Sequence, residues 1–167
     1  MIIRYRMILM TLLCGWITGI PAYSFGSTEN DSIWTTYQQA LESSRQDDKP
    51  IILFVEAEWC IHCRNMKSES FSKDEIKEKI RENYHLVSLD LDSRKTLTYH
   101  NQEMTQRELA QKLNVQTTPT TFFIDSNEKV MGSREGYMNT ETIEYLLSFV
   151  VSEWFGEISF EEFKEMN

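Results

Sequence analysis

The sequence predicts an α/β fold, and two apolar stretches with the helical runs around them carry that prediction. Pro50-Ile51-Ile52-Leu53-Phe54-Val55 is a short apolar run of the kind that forms a buried parallel strand, and Arg64-Asn65-Met66-Lys67 shortly after it reads as helix. Val115 to Asp125 reads as a loop entering a second buried strand. A hairpin turn over Asp125-Ser126-Asn127-Glu128-Lys129 then returns the chain as a strand around Val130-Met131. Runs with apolar residues at helical spacing separate the strands. At 167 residues the chain is one domain's worth, long enough for a real core.

The N-terminus differs from the rest. Arg4 and Arg6 precede an apolar stretch from Met7 to Ile20, and Ala22-Tyr23-Ser24 puts small residues where a signal peptidase reads them. Residues 1–24 are therefore expected to be a cleaved signal peptide, cut before Phe25, with 25–31 a linker and 32–167 the folded domain. An uncleaved anchor is the alternative, but the run is short for a span of about 20 residues. Cys14 would leave with the leader, and Leu13 is not the small residue a lipoprotein cut requires. Losing Arg4 and Arg6 takes the formal charge from −9 to −11. A chain that acidic carries no electrostatic footprint for nucleic acid or anionic lipid.

In order, Ser32 is read as the N-cap of a helix over Ile33–Ser44, with Ile33, Trp34, Tyr37 and Leu41 on one face as core rather than as a ligand stripe. Ser72-Lys73-Asp74-Glu75 reads as a capping box opening a helix with Ile76 and Ile80 inside. His85 to Asp92 alternates as a strand. His85 is read as a strand-entry residue rather than a ligand, and Asp90 and Asp92 as solvated groups rather than a metal pair. Thr96–Tyr99 and a turn at His100-Asn101-Gln102 make a small hairpin-like insertion. Thr105-Gln106-Arg107-Glu108 caps the helix carrying Leu109, Ala110 and Leu113. Asn139 or Thr140 caps a last long helix, and Ser159-Phe160-Glu161-Glu162 a short terminal one.

The chemistry concentrates in Glu56-Ala57-Glu58-Trp59-Cys60-Ile61-His62-Cys63. Cysteines at i and i+3 on a strand-to-helix junction can close a small disulfide ring. Cys60 then stands at a helix N-terminus, where unpaired N–H groups and the macrodipole favour a thiolate. That is the chemistry of a dithiol–disulfide exchange site. A zinc half-site and a static structural disulfide are the alternatives. Zinc would want a second ligand pair, and beyond this stretch the mature chain offers only isolated His85 and His100.

The element order, Trp59-Cys60-Ile61-His62-Cys63 and Leu113-Asn114-Val115-Gln116-Thr117-Thr118-Pro119-Thr120 together resemble the thioredoxin superfamily over about residues 32–151. Within it, Met66 to Ile76, the lengthened segment before Glu108 and Glu135-Gly136-Tyr137 are similar to SoxW-type periplasmic thioredoxins. The resemblance implies a thioredoxin fold: a central mixed sheet flanked by helices, a short insertion at 93–104, and a cis bond at Thr118–Pro119 facing the dithiol. It implies that Cys60 is the nucleophile and Cys63 the resolving thiol. Trp59, Ile61, His62, Thr118 and Pro119 would shape the site, and Pro119 would keep metal from bridging the thiols.

Two departures from the family stand out. Phe54 occupies the position of the buried Asp that serves as proton acceptor, which leaves Glu56 and Glu58 as candidates for that role. His62, beside the second cysteine, resembles the strongly oxidising periplasmic oxidase, but the chain has no room for that protein's large helical insertion. The implied function is an exported, periplasmic protein-disulfide reductase. It would act as a monomer on disulfide-bearing exported proteins and draw electrons from a membrane dithiol protein. No cofactor or metal is expected; the glycines form no GxGxxG. An oxidase or isomerase using the same CxxC, a redox-inert peptide-binding module and a metallochaperone are the alternatives.

Overall fold

In the computed structural model, which describes residues 32–166, the run after Pro50 forms strand β2 (Ile51–Glu56) at the centre of a five-stranded sheet. The expected leader, 1–24, and linker, 25–31, lie outside the described residues. β2 pairs in parallel with β3 (His85–Asp90), which pairs in parallel with the edge strand β1 (Trp34–Thr35). On its other side β2 pairs antiparallel with β6 (Thr120–Ile124), and β6 with β7 (Val130–Glu135) at the far edge. The sheet is mixed, as expected.

Both faces of β2 are covered, which is why its sequence is apolar without alternation. Ile51 to Val55 are all within 1% of full burial, each apolar side chain contributing on the order of 1.5–3 kcal/mol. Ile52 and Phe54 face one core with Cys63, Met66, Phe71, Ile76, Ile143 and Leu147. That core lies under α2 (Ile61–Asn65), a π-helical continuation over Met66–Phe71, α3 (Asp74–Asn83) and α5 (Thr140–Val150). Ile51, Leu53 and Val55 face the other core, with Tyr37 and Leu41 of α1 (Tyr37–Asp47) and Leu109 of α4 (Gln106–Lys112). The insertion forms the two-stranded hairpin β4 (Thr96–Tyr99) and β5 (Gln102–Thr105), and Leu97 and Tyr99 bury in this second core. Its turn carries His100 and Asn101 at φ 48° and 60°, left-handed conformations that Asn tolerates better than most residues.

The helix expected over Ile33–Ser44 with Ser32 as its cap is displaced. Trp34-Thr35 pairs with Leu86-Val87 instead, and the helix starts at Tyr37 under a capping box in which Thr36 bonds the Gln39 N–H and Gln39 reaches back to Thr36. Ser72 is not a cap either: its hydroxyl donates to the Ser68 carbonyl, and α3 begins after Lys73 with no side-chain cap. β3 stops at Asp90, so Asp92 lies in the following turn. The boxes at Thr105 and Ser159 form, the latter opening α6 (Phe160–Met166), and Asn139 caps α5. His85 enters β3 and bonds Asp47 through Nε2 at 3.0 Å. Among the described residues no helix is long and apolar enough to cross a membrane.

Candidate functional site

β2 delivers the chain to one end of the sheet, where the last strand residue, Glu56, accepts the Leu91 N–H at its carbonyl (2.9 Å). Ala57 to Trp59 turn the chain, closed by a Cys60 N–H to Ala57 carbonyl bond of 3.0 Å, and Arg64 Nη1 braces the turn from outside on the Glu58 carbonyl at 2.6 Å. Cys60 is then the N-cap of α2, with extended backbone (φ −77°, ψ 103°), and its sulfur accepts the Cys63 N–H at 3.0 Å. A sulfur that already receives a helix-start N–H is placed where a negative charge is favoured. Cys60 and Cys63 are joined as a disulfide, with Cα atoms 5.3 Å apart. Cys60 is 4% exposed and Cys63 0%, so both are buried and Cys60 is the less completely covered of the two.

The Thr118–Pro119 peptide is cis. Val55 pairs with Thr120, so Pro119 stands at the same end of the sheet as Glu56 and the dithiol turn. The Pro119 carbonyl accepts the Gly136 N–H at 2.8 Å, and Thr120 Oγ1 donates to the Thr117 carbonyl at 2.8 Å. Thr118 is left partly exposed at the mouth, and among the described residues its backbone makes no hydrogen bond in the loops around it.

Around the sulfurs the rim is aromatic and exposed. Trp59 is 67% exposed and Ile61 53%. The Trp59 Nε1–H donates to Asp92 Oδ2 at 2.8 Å, and Arg107 Nη2 holds the other carboxylate oxygen at 3.2 Å. Opposite, the His62 ring lies 6.2 Å from that of Tyr137, whose hydroxyl donates to Glu69 Oε2 at 2.9 Å. That hydrogen bond to a carboxylate pushes the Tyr137 hydroxyl above the usual phenol range.

The two candidate acids separate. Glu58 is exposed, and among the described residues its carbonyl alone is engaged. Glu56 is partly buried, and its Oε1 accepts from Lys67 Nζ and from Ser88 Oγ. Phe54 is fully buried, packed edge-on against Phe71 at 5.2 Å with Trp34 beside both, so nothing acidic stands at its position. Lys67 also sits over the Trp34 ring at 4.8 Å. Sequence reasoning missed Asp92, Arg107, Tyr137 and Lys67. Asp92, expected to be merely solvated, holds the indole of Trp59. Among the described residues, no three His, Cys, Asp or Glu side chains gather to hold a metal ion. The cavity of about 490 Å³ between α1 and the β4–β5 hairpin includes none of the dithiol residues. Attack on a disulfide needs an accessible sulfur, not an enclosed pocket, so the cavity is set aside.

Comparison with known proteins agrees with this geometry. The disulfide bond reductase DsbH of Chlamydia pneumoniae is 33% identical over 109 residues, covering 62% of each chain. The chain thus spans 62% of the length of that curated relative. A solved DsbH oxidoreductase superposes with a TM-score of 0.54 at 29% identity, over 69% of this chain and 81% of that one. A thioredoxin-fold protein from Helicobacter pylori gives a TM-score of 0.59 over 82% of this chain and 85% of its own, at 21% identity, a likeness of fold. The thioredoxin-like domain family matches residues 37–151, from the start of α1 to the end of α5, and spans the CxxC turn and the cis-proline strand alike. The chain belongs to the thioredoxin-like domain family.

Proposed function

We propose that the protein is an exported thiol–disulfide oxidoreductase that reduces disulfides in exported substrate proteins through Cys60 and Cys63. One observation carries the reading: Cys60 caps the helix start, its sulfur receiving the Cys63 N–H, while Cys63 is the more completely buried of the pair. In the reduced protein the Cys60 thiolate attacks one sulfur of a substrate disulfide. The substrate S–S bond breaks, a mixed disulfide forms, and one substrate thiolate leaves. Cys63, deprotonated, then attacks the Cys60 sulfur. The mixed disulfide breaks, the second substrate thiolate leaves, and the Cys60–Cys63 bond closes. Two electrons pass to the substrate, so a membrane dithiol protein must return two to the CxxC for each turnover.

The direction rests on the 33% identical relative from Chlamydia pneumoniae, a disulfide bond reductase. Export rests on Arg4, Arg6, the apolar run and the Ala22-Tyr23-Ser24 site. The partly exposed Thr118, with its unbonded backbone, would pair with an extended segment of substrate, and Trp59 and Ile61 would pack against it.

A trapping experiment tests the whole reading. Cys60→Ser should abolish reduction. Cys63→Ser should accumulate mixed disulfides with exported proteins, seen as dithiothreitol-sensitive bands, on a mature chain beginning at Phe25. Capture by the Cys60 variant instead would reverse the roles. A wild type that leaves substrate disulfides unreduced, with no change on Cys60→Ser, would leave a redox-inert binding module, and a mature chain beginning at Met1 would make the protein membrane-tethered.

A further inference from the structure

The rim residue Trp59 is held by a chain of contacts that begins outside the site. A two-thirds exposed indole would ordinarily sample several rotamers on fast timescales. Here its Nε1–H is fixed on Asp92 Oδ2 at 2.8 Å, and Arg107 Nη2 fixes Asp92 Oδ1 at 3.2 Å. Both ionic side chains are about half exposed (48% and 42%), and an ion pair so exposed adds little to stability. Its geometry nevertheless assigns each carboxylate oxygen one donor.

The segment bearing Asp92 and Arg107 is itself locked to the insertion. Asp92 N–H bonds Asp90 Oδ1 (2.9 Å), and Asp90 N–H bonds Gln106 Oε1 (2.9 Å). The N–H groups of Gln106 and Arg107 bond the Lys95 and Ser93 carbonyls at 3.0 and 3.2 Å, at the root of the hairpin. The hairpin's far end is pinned by the buried Glu128, which accepts the His100 N–H at its carboxylate and the Tyr99 hydroxyl at its carbonyl. Beside the Asp92–Arg107 pair opens a cavity of about 230 Å³ with Leu91, Ala110 and Val115 in its walls.

We propose that Arg107 is a positioning residue: acting through Asp92, it presets the Trp59 ring as a docking face for a disulfide-bearing polypeptide, so that the 93–104 insertion is a working part of the substrate rim. The inference rests on the thiol–disulfide reading above. An aromatic face already in its bound orientation lowers the ordering cost of binding an extended chain. The effect therefore belongs in KM for a protein substrate rather than in the exchange step itself.

Two readouts test it. In the ¹⁵N-labelled protein the Trp59 indole N–H signal, identified by its loss in Trp59→Phe, should shift and exchange faster with solvent in Arg107→Ala and in Asp92→Ala. Arg107→Lys, which restores a donor, should return it most of the way. With insulin as substrate, Arg107→Ala should raise KM by about 3- to 10-fold with kcat within about twofold, as expected for loss of preorganised binding. An unmoved indole signal in Arg107→Ala, or a fall in kcat at unchanged KM, would overturn the proposal. Should the wild type reduce no disulfide at all, the functional reading fails on its own, and the indole signal alone decides the positioning.

Discussion

The Lys67 ammonium donates to Glu56 Oε1, and the same oxygen accepts from Ser88 Oγ on the neighbouring strand. Lys67 follows Cys63 by four residues in the helix that begins at Ile61, so it lies one turn beyond the buried thiol on the same side. Glu56 ends β2 on the face that Phe54 also occupies, two residues further along the strand. The partly buried acid on that face of the strand is thus a carboxylate shared at the strand end, while the middle of the strand carries Phe54.

That placement separates the two candidate acids by experiment. Glu56→Gln should slow release of substrate from the mixed disulfide at neutral pH by about 10-fold. The loss falls below the ~10²–10⁴ of an ideally placed general base because Glu56 is shared with Lys67 and Ser88. Glu58→Gln, an exposed position, should leave the rate unchanged. Stopped-flow tryptophan fluorescence on single turnovers reads both. Equal rates for the two variants would remove Glu56 from the mechanism.

Acid sensitivity should appear in two capping boxes. The Thr105 backbone and side-chain hydrogen bonds hold the Glu108 carboxyl below its ordinary value of 4.5, and the Ser159 side-chain and backbone bonds do the same for Glu162. Both folded-state values are lowered. Their contribution is therefore present above the unfolded value and lost as pH falls through the folded one. Gln in place of Glu fills the same box without titrating. The double variant Glu108→Gln/Glu162→Gln should lose less thermal stability than wild type between about pH 6 and pH 3. Parallel Tm curves for the two proteins would contradict this.

What the sequence discloses and what it hides divide along sequence distance. β2, the CxxC turn and the Thr118–Pro119 strand are local signals: an unbroken apolar run, two cysteines at i and i+3, a proline before Thr120-Thr121-Phe122. The Thr105 and Ser159 boxes are equally local, and they form. Trp34 misleads because its spacing to Tyr37 and Leu41 is helical, while a two-residue edge strand has too few residues to show a period of two. The alternative was present in Thr36-Tyr37-Gln38-Gln39, since Thr36 and Gln39 make a capping box of their own. Ser72 has the box spacing, but the π-helical turn before it offers the Ser68 carbonyl to its hydroxyl first. The bonds that set Trp59 span 33 and 15 residues, and no periodicity encodes a pairing made by a loop and a helix start. The acids are the intermediate case. Strand alternation places Glu56 on the Phe54 side, whereas its partner Lys67 emerges only from the packing of helix on strand.

The last prediction concerns His62, at the second position of α2. Its exposed ring packs toward Tyr137, and Tyr137 is in turn held by Glu69. The imidazole is therefore fixed to the rim in the first turn after Cys60 rather than swinging free in solvent. An imidazole near the Cys60 sulfur would favour its thiolate and hence the reduced dithiol, so the couple is expected to be more oxidising than thioredoxin's value of about −270 mV. Proline is tolerated in a first helical turn, where no i−4 carbonyl awaits the N–H, so His62→Pro should preserve the fold. It should lower the potential by about 30 mV, the equivalent of about 1.4 kcal/mol for two electrons, and raise the Cys60 pKa with it. Tyr137→Ala, which removes the ring's support but keeps the imidazole, should move the potential in the same direction by less. Thiolate absorbance titrations and glutathione equilibration measure both quantities in the three proteins. Superimposable titrations with equal potentials would make His62 a bystander, and a shift in Tyr137→Ala as large as in His62→Pro would assign the effect to the rim's packing rather than to the imidazole.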